Sequence, residues 1–189
     1  MSVMNLNCNR QAGKRTQRGN FTVEFAIVGV FFALLLAFSG DVIIKLSHNG
    51  KLDRLSFSLV NMLKERTQFF SEGQDIQLQD VDDLYLIAEN SLRRTLGTYE
   101  AERFGVVIES LSFRGIGEAN SPRSFQFGAY QCQLSLNMTD LEELSVVTSW
   151  GRQAPLYRVT LCYQTDNWFG RLVDGDYTRV QSSSVIIGR

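Results

Sequence analysis

Arg18-Gly19-Asn20-Phe21-Thr22-Val23-Glu24-Phe25 leads straight into the most apolar stretch of the 189-residue chain. That stretch, Phe25 to Gly40, holds sixteen uncharged residues rich in Phe, Leu, Val, Ala and Ile. Sixteen falls short of the ~20 residues a spanning helix needs. Adding Phe21 to Val23 before Glu24 and Val42 to Ile44 after Asp41 supplies the length, with the two carboxylates near the two interfaces. A buried helix of a soluble domain would keep a polar stripe. The run Val30-Phe31-Phe32-Ala33-Leu34-Leu35-Leu36 has none, so a membrane helix is expected. A carboxylate at mid-bilayer costs about 2.5–3.5 kcal/mol and less near an interface, which makes Glu24 a functional candidate.

Residues 1–19 carry Arg10, Lys14, Arg15 and Arg18 and no acid. Such a block favours the cytoplasmic side. Lys45, Lys51 and Arg54 reduce the contrast, but a long following domain crosses largely regardless of charge. The expected orientation is N-inside, C-outside. A secretory signal peptide would need a small-residue cleavage site after its apolar core. Ala37-Phe38-Ser39-Gly40 matches only loosely and runs on into Asp41 and further apolar residues, so a cut before the core, after Gly19, fits better.

Beyond the membrane segment, Leu52, Leu55, Leu59, Met62 and Leu63 recur at helical spacing and predict continuation to about Ser71. His48-Asn49-Gly50 is a candidate bend, since glycine weakens a helix interior by ~1 kcal/mol. A second helix is expected from Val81 to Leu96, capped by Asp80, with Arg93 and Arg94 in its last turn and Gly97 ending it. After Gly97 the pattern predicts strands at Phe104–Phe113, Ala129–Met138, Leu156–Gln164 and Tyr177–Ile187, with a glycine-containing loop from Arg114 to Arg123. Helices followed by about four antiparallel strands make an α+β fold.

A basic leader ending in glycine, a glutamate at the fifth position after it and a long apolar helix resemble a class III prepilin signal. The form Arg18-Gly19 through Glu24-Phe25-Ala26 is similar to the TadE/TadF pseudopilins of the tight-adherence system, which assembles Flp pili. Leu52-Asp53-Arg54-Leu55-Ser56-Phe57-Ser58-Leu59, followed by Leu63-Lys64-Glu65-Arg66-Thr67-Gln68, resembles TadF more than TadE. A long helix packed on an antiparallel sheet is also what pilin-like proteins have.

The resemblance implies a minor pilin or pseudopilin of a type IVb pilus machine, acting in pilus biogenesis and adherence rather than as an enzyme. Prepilin peptidase would cut between Gly19 and Asn20. Asn20 stands where type IV pilins favour Phe, so methylation of the new terminus is not implied. The chain would divide into a cleaved leader (1–19), a membrane helix (20–45), a helical part (46–100) and a β-rich part of the same periplasmic domain (101–189). Implied partners are the peptidase, TadE-like and Flp-like pilins and pseudopilins, the inner-membrane assembly platform and the lipid bilayer.

Cutting after Gly19 would place an α-amine on Asn20, one helical turn from Glu24. Opposite charges ~4 Å apart interact by several kcal/mol when desolvated, so that amine, or the one on a neighbouring pilin, can offset the burial of Glu24 and set subunit register. The competing reading makes Glu24 an interfacial residue favoured by the helix dipole. The same cut would remove Cys8 and leave Cys132 and Cys162 in an oxidising compartment, where a bridge is expected over two buried free thiols.

Removing four positive charges moves the formal net charge from −1 to about −5, which leaves no nucleic-acid face to propose. His48 is the only histidine, which nearly excludes His-based triads and multi-His metal sites. No CxxC, phosphate loop or nucleophile elbow occurs. Asp80-Val81-Asp82-Asp83 and Asp174-Gly175-Asp176 read as a cap and a turn rather than calcium loops. No cofactor or metal is expected. Trp168-Phe169-Gly170 reads equally as a contact loop or as core filling. A single-pass anchored binding or sensor domain with an uncleaved N-terminal tail is the alternative function.

Overall fold

The computed structural model describes residues 20–69 and 76–188. Helix α1, Asn20–Phe69, is one unbroken helix of 50 residues. The expected bend at His48-Asn49-Gly50 is absent: Gly50 has open space at its Cβ position, and packing from Leu52 onward holds the helix together. A helix propensity deficit of ~1 kcal/mol is small beside several buried leucines. The expected end near Ser71 lies outside the described residues.

Helix α2 runs Leu78–Thr95, three residues earlier at its start than the spacing suggests. Its N-cap is Gln77 rather than Asp80. The Asp80 carboxylate sits in the first turn and accepts the Gln77 backbone N–H, completing a reciprocal capping box. Arg93 and Arg94 occupy the last turn, where their charge suits the C-terminal carbonyls.

Six strands follow: β1 Phe104–Leu111, β2 Phe113–Gly115, β3 Glu118–Ala119, β4 Arg123–Gly128, β5 Leu156–Gln164 and β6 Arg179–Ile187. Four of them form an antiparallel sheet in the order β4-β1-β5-β6, while β2 and β3 make a separate small hairpin inside the expected glycine loop. The expected strand at Ala129–Met138 does not form. Its place at the edge of the sheet is taken by β4, whose register sets Phe125 opposite Ile108 and Phe127 opposite Val106. Gly128, at φ 90°, ends that strand in a conformation other residues rarely adopt. Residues 129–137 then cross the back of the sheet, and Met138–Leu144 forms a 3-10 helix.

The sheet is covered on both faces. On one, α1 (Leu52, Leu59, Val60, Leu63) and α2 (Val81, Leu84, Ala88, Leu92) pack over Phe104, Val106, Ile108, Val159, Leu161 and Val180. On the other, Met138 inserts between Leu111 and Leu156. The central strands β1 and β5 are therefore buried along nearly their whole length. Where the back segment passes over β1, a Cβ at Gly105 would lie 1.8 Å from the Tyr130 carbonyl oxygen, so no side chain fits at that position.

Candidate functional site

The membrane end of α1 is built from exposed apolar side chains. Phe21, Phe25, Val30, Phe31, Phe32 and Leu36 all face outward, and among the described residues no element covers them. In water this surface would cost roughly 25 cal/mol per Å² of apolar area. Ser39, the polar residue near its end, donates its hydroxyl to the Leu35 carbonyl at 2.8 Å, which satisfies it within the helix. Among the described residues α1 holds the only helix long and apolar enough to cross a membrane, and it fits a single-pass anchor. Glu24 lies on this exposed part of α1, one turn from Asn20. Arg18 and Gly19 lie outside the described residues, while Phe25 and Ala26 continue the exposed surface.

The exposed run ends where the folded domain first touches the helix. Phe38 meets Phe169 edge to face, with centroids 4.9 Å apart. One turn on, Asp41 is buried and paired with Lys45, whose ammonium also lies 5.8 Å from the Tyr177 ring centroid. Phe169 and Tyr177 both come from the β5–β6 connection, a collar that touches α1 at these two points. Arg103 pins the collar's start by donating to Asp166 at 2.7 Å, and Asn167 donates to the Gly175 carbonyl at 2.7 Å. Asp176 accepts from the Thr178 hydroxyl and backbone N–H, and these bonds hold its carboxyl below the usual range. The Asp174-Gly175-Asp176 motif is thus a turn.

Further along α1 the contact with the sheet is polar. Ser182 donates to Asp53 at 2.5 Å, and the Ser56 hydroxyl lies 3.2 Å from that of Ser182 and 2.8 Å from that of Ser184. Small side chains let the helix approach β6 closely, and each hydroxyl finds a partner, as buried polar groups must. A serine run in a strand carries no helix-contact signal by itself, and sequence reasoning missed this seam. It also missed the buried ion pair on the opposite face of the sheet, where Arg158 Nε donates to Glu109 Oε2 at 2.6 Å across directly paired residues of β5 and β1. One charge of each sign inside two apolar strand runs was the signal available.

Cys132 and Cys162 are bonded, with Cα atoms 5.6 Å apart. Cys162 lies in β5 as expected, whereas Cys132 lies in the back segment rather than in a strand. The bridge staples that segment to the sheet. His48 stacks obliquely on Tyr163, centroids 5.7 Å apart, and burial followed by the nearby Lys51 charge lowers its pKa. Among the described residues no cluster of three or more His, Cys, Asp or Glu side chains is placed to hold a metal ion. The described residues present an apolar helix, its collar and a stapled domain.

The family model described as "Putative tight adherence pilin protein F" matches residues 13–189. No curated protein and no solved structure matches the chain significantly.

Proposed function

Because the chain belongs to the TadF family of tight adherence pilin proteins, we propose that it is a minor pilin of the Tad pilus machine, matured by a prepilin peptidase and acting by subunit packing. The observation that carries this reading is a family match that begins at Gly13, spans the Gly19–Asn20 junction and runs to the end of the chain. The bare apolar surface of α1 beyond that junction supports it. A helix that projects from its own domain without a covering element is suited to packing against lipid and, in a filament, against copies of similar helices.

In this reading the leader lies in the cytoplasm, α1 crosses the inner membrane and the sheet domain is periplasmic. The peptidase cuts between Gly19 and Asn20, with Arg18, Phe25 and Ala26 as part of the recognised motif. The freed amine of Asn20 pairs with Glu24 of the same or a neighbouring subunit and sets register. TadE-like and Flp-like subunits and the assembly platform are the partners, and the chain is the peptidase's substrate rather than a catalyst.

Co-expression with a cognate prepilin peptidase tests this directly. Intact mass spectrometry should show loss of the first nineteen residues and Asn20 as the new terminus. Gly19→Ala should lessen or block the cut. Glu24→Ala should be cut almost normally and yet impair pilus assembly. An uncut wild-type chain would refute the pilin reading, and normal assembly of the Glu24→Ala protein would refute the pairing role.

A further inference from the structure

The collar between β5 and β6 exposes more apolar surface than a water-facing loop has reason to. Trp168 and Leu172 are each 60% exposed, Tyr177 56% and Val173 48%. Leu172 lies on the short helical turn α3, Gly170–Val173, and Trp168 in the turn that leads into it. Phe169 between them turns the other way, onto Phe38.

Position along α1 shows what covers this surface. From Phe21 to Phe38 the helix rises about 26 Å at 1.5 Å per residue. A bilayer's hydrocarbon core is about 30 Å thick. The collar therefore grips α1 at the level where an inserted helix leaves the acyl chains, and Asp41 and Lys45 pair at that same level. Trp and Tyr are favoured there because their rings combine an apolar body with a polar atom. Arg171 is exposed on the same turn, in reach of lipid phosphates, while Asp166, Asp174 and Asp176 leave the collar without net positive charge. Attraction to anionic lipid is then not the driving force; apolar burial is.

We infer that the β5–β6 collar is a second membrane contact, seating Trp168, Leu172 and Tyr177 in the interfacial layer of the bilayer beside the exit of α1. The occupant of the exposed patch is lipid, and zwitterionic lipid suffices. The inference rests on α1 crossing a bilayer and is independent of leader cleavage and of pilus assembly.

The two tryptophans make the test selective. Trp150 belongs to a turn closed by the Val147–Gln153 bridge, shortly before β5 begins, whereas Trp168 follows the end of β5. They therefore mark opposite ends of the sheet. The full chain is reconstituted in phosphatidylcholine vesicles, with or without acyl chains brominated near the glycerol. Trp150→Phe leaves Trp168 as sole reporter, and Trp168→Phe leaves Trp150. Trp150 is 85% exposed, so its replacement should not disturb folding.

The expected result is that Trp168 loses most of its emission to brominated lipid and shifts to shorter wavelength, while Trp150 is unaffected. Vesicle flotation of the same samples separates the failures. A chain that floats with unquenched Trp168 overturns the second contact alone. Equal quenching of both tryptophans overturns it too, since the whole domain would then be lying on the surface. A chain that does not float overturns the anchor and the collar's contact together.

Discussion

Cutting the staple between Cys132 and Cys162 should loosen one face of the domain by a predictable amount. The bonded residues are separated by 30 positions. In the chain-entropy model a loop of that size restricts the unfolded ensemble by about 12 cal/mol/K, or about 3.6 kcal/mol at 25 °C. For a chain of this size 1 kcal/mol moves the melting temperature by roughly 2–4 °C, so loss of the bond should lower it by about 7–14 °C. Cys132→Ser is the appropriate change, because Cys132 is only half-buried and a hydroxyl there can reach water, whereas Cys162 is fully buried in the central strand. The assay is near-UV circular dichroism of the full chain in detergent, melted with and without reductant, beside amide exchange over residues 129–155. Exchange should rise in that segment first, since only Met138 of its 3-10 helix is fully anchored in the sheet's back face. A Cys132→Ser melting temperature within about 2 °C of the parent would refute the loop-closure reasoning, because so small a shift corresponds to less than about 1 kcal/mol. It would mean that Met138 and its neighbours already hold the segment.

Two further changes probe buried charge. Glu109→Gln leaves the Arg158 guanidinium buried without its carboxylate and should destabilise the domain by about 3–5 kcal/mol in urea unfolding. The double change Glu109→Leu with Arg158→Met should recover most of that loss, and a double variant no better than the single one would argue against an ion-pair origin. His48 should give the domain an acid-sensitive step. Its folded pKa is lowered from 6.5 by burial, then by Lys51, with Asp166 opposing, so between the folded value and 6.5 the unfolded chain binds the proton more readily. Stability from this group is complete above about pH 6.5 and declines as pH falls below it. Melting temperatures from pH 7.5 to 5 should fall less for His48→Phe than for the parent, and parallel curves would exclude the histidine as the cause.

Local patterns announced most of the secondary structure. Leu156–Gln164 formed as a strand with the bounds its residues suggested, because β5 is central and buried on both faces. The long helix was equally plain in the run from Phe25, which no polar residue interrupts until Ser39. Ala129–Met138 misled because alternating Gln, Cys, Ser and Leu imitate a half-buried strand. Its Leu134 and Leu136 are in fact exposed, and the segment is held by a covalent bond, one methionine and scattered hydrogen bonds such as Gln181 Nε2 to the Gln133 carbonyl, instead of a ladder. The true edge strand, Arg-Ser-Phe-Gln-Phe-Gly at 123–128, is short and polar on one face, and only its pairing with β1 turns Phe127 toward Tyr85, 5.8 Å away between centroids. The candidate membrane segment with Glu24 was visible at once, since it depends on neighbours in sequence. The collar on Phe38, the serine seam and the Glu109–Arg158 pair join residues 49 to 131 positions apart, and single-chain periodicity carries no record of such distances.

The absence of a bend at Gly50 has a mechanical consequence. Beyond Gly40 about 44 Å of the same helix forms the spine of the folded domain, at 1.5 Å per residue. With the collar and the serine seam clamping that spine at two levels, the helix and domain turn as one lever. Spanning helices tilt by about 20° on average, and a tilt of that size would swing the far end of the lever by about 15 Å. Whatever pulls or packs against the bare apolar half of α1 thereby aims the sheet domain, with no linker to absorb the motion.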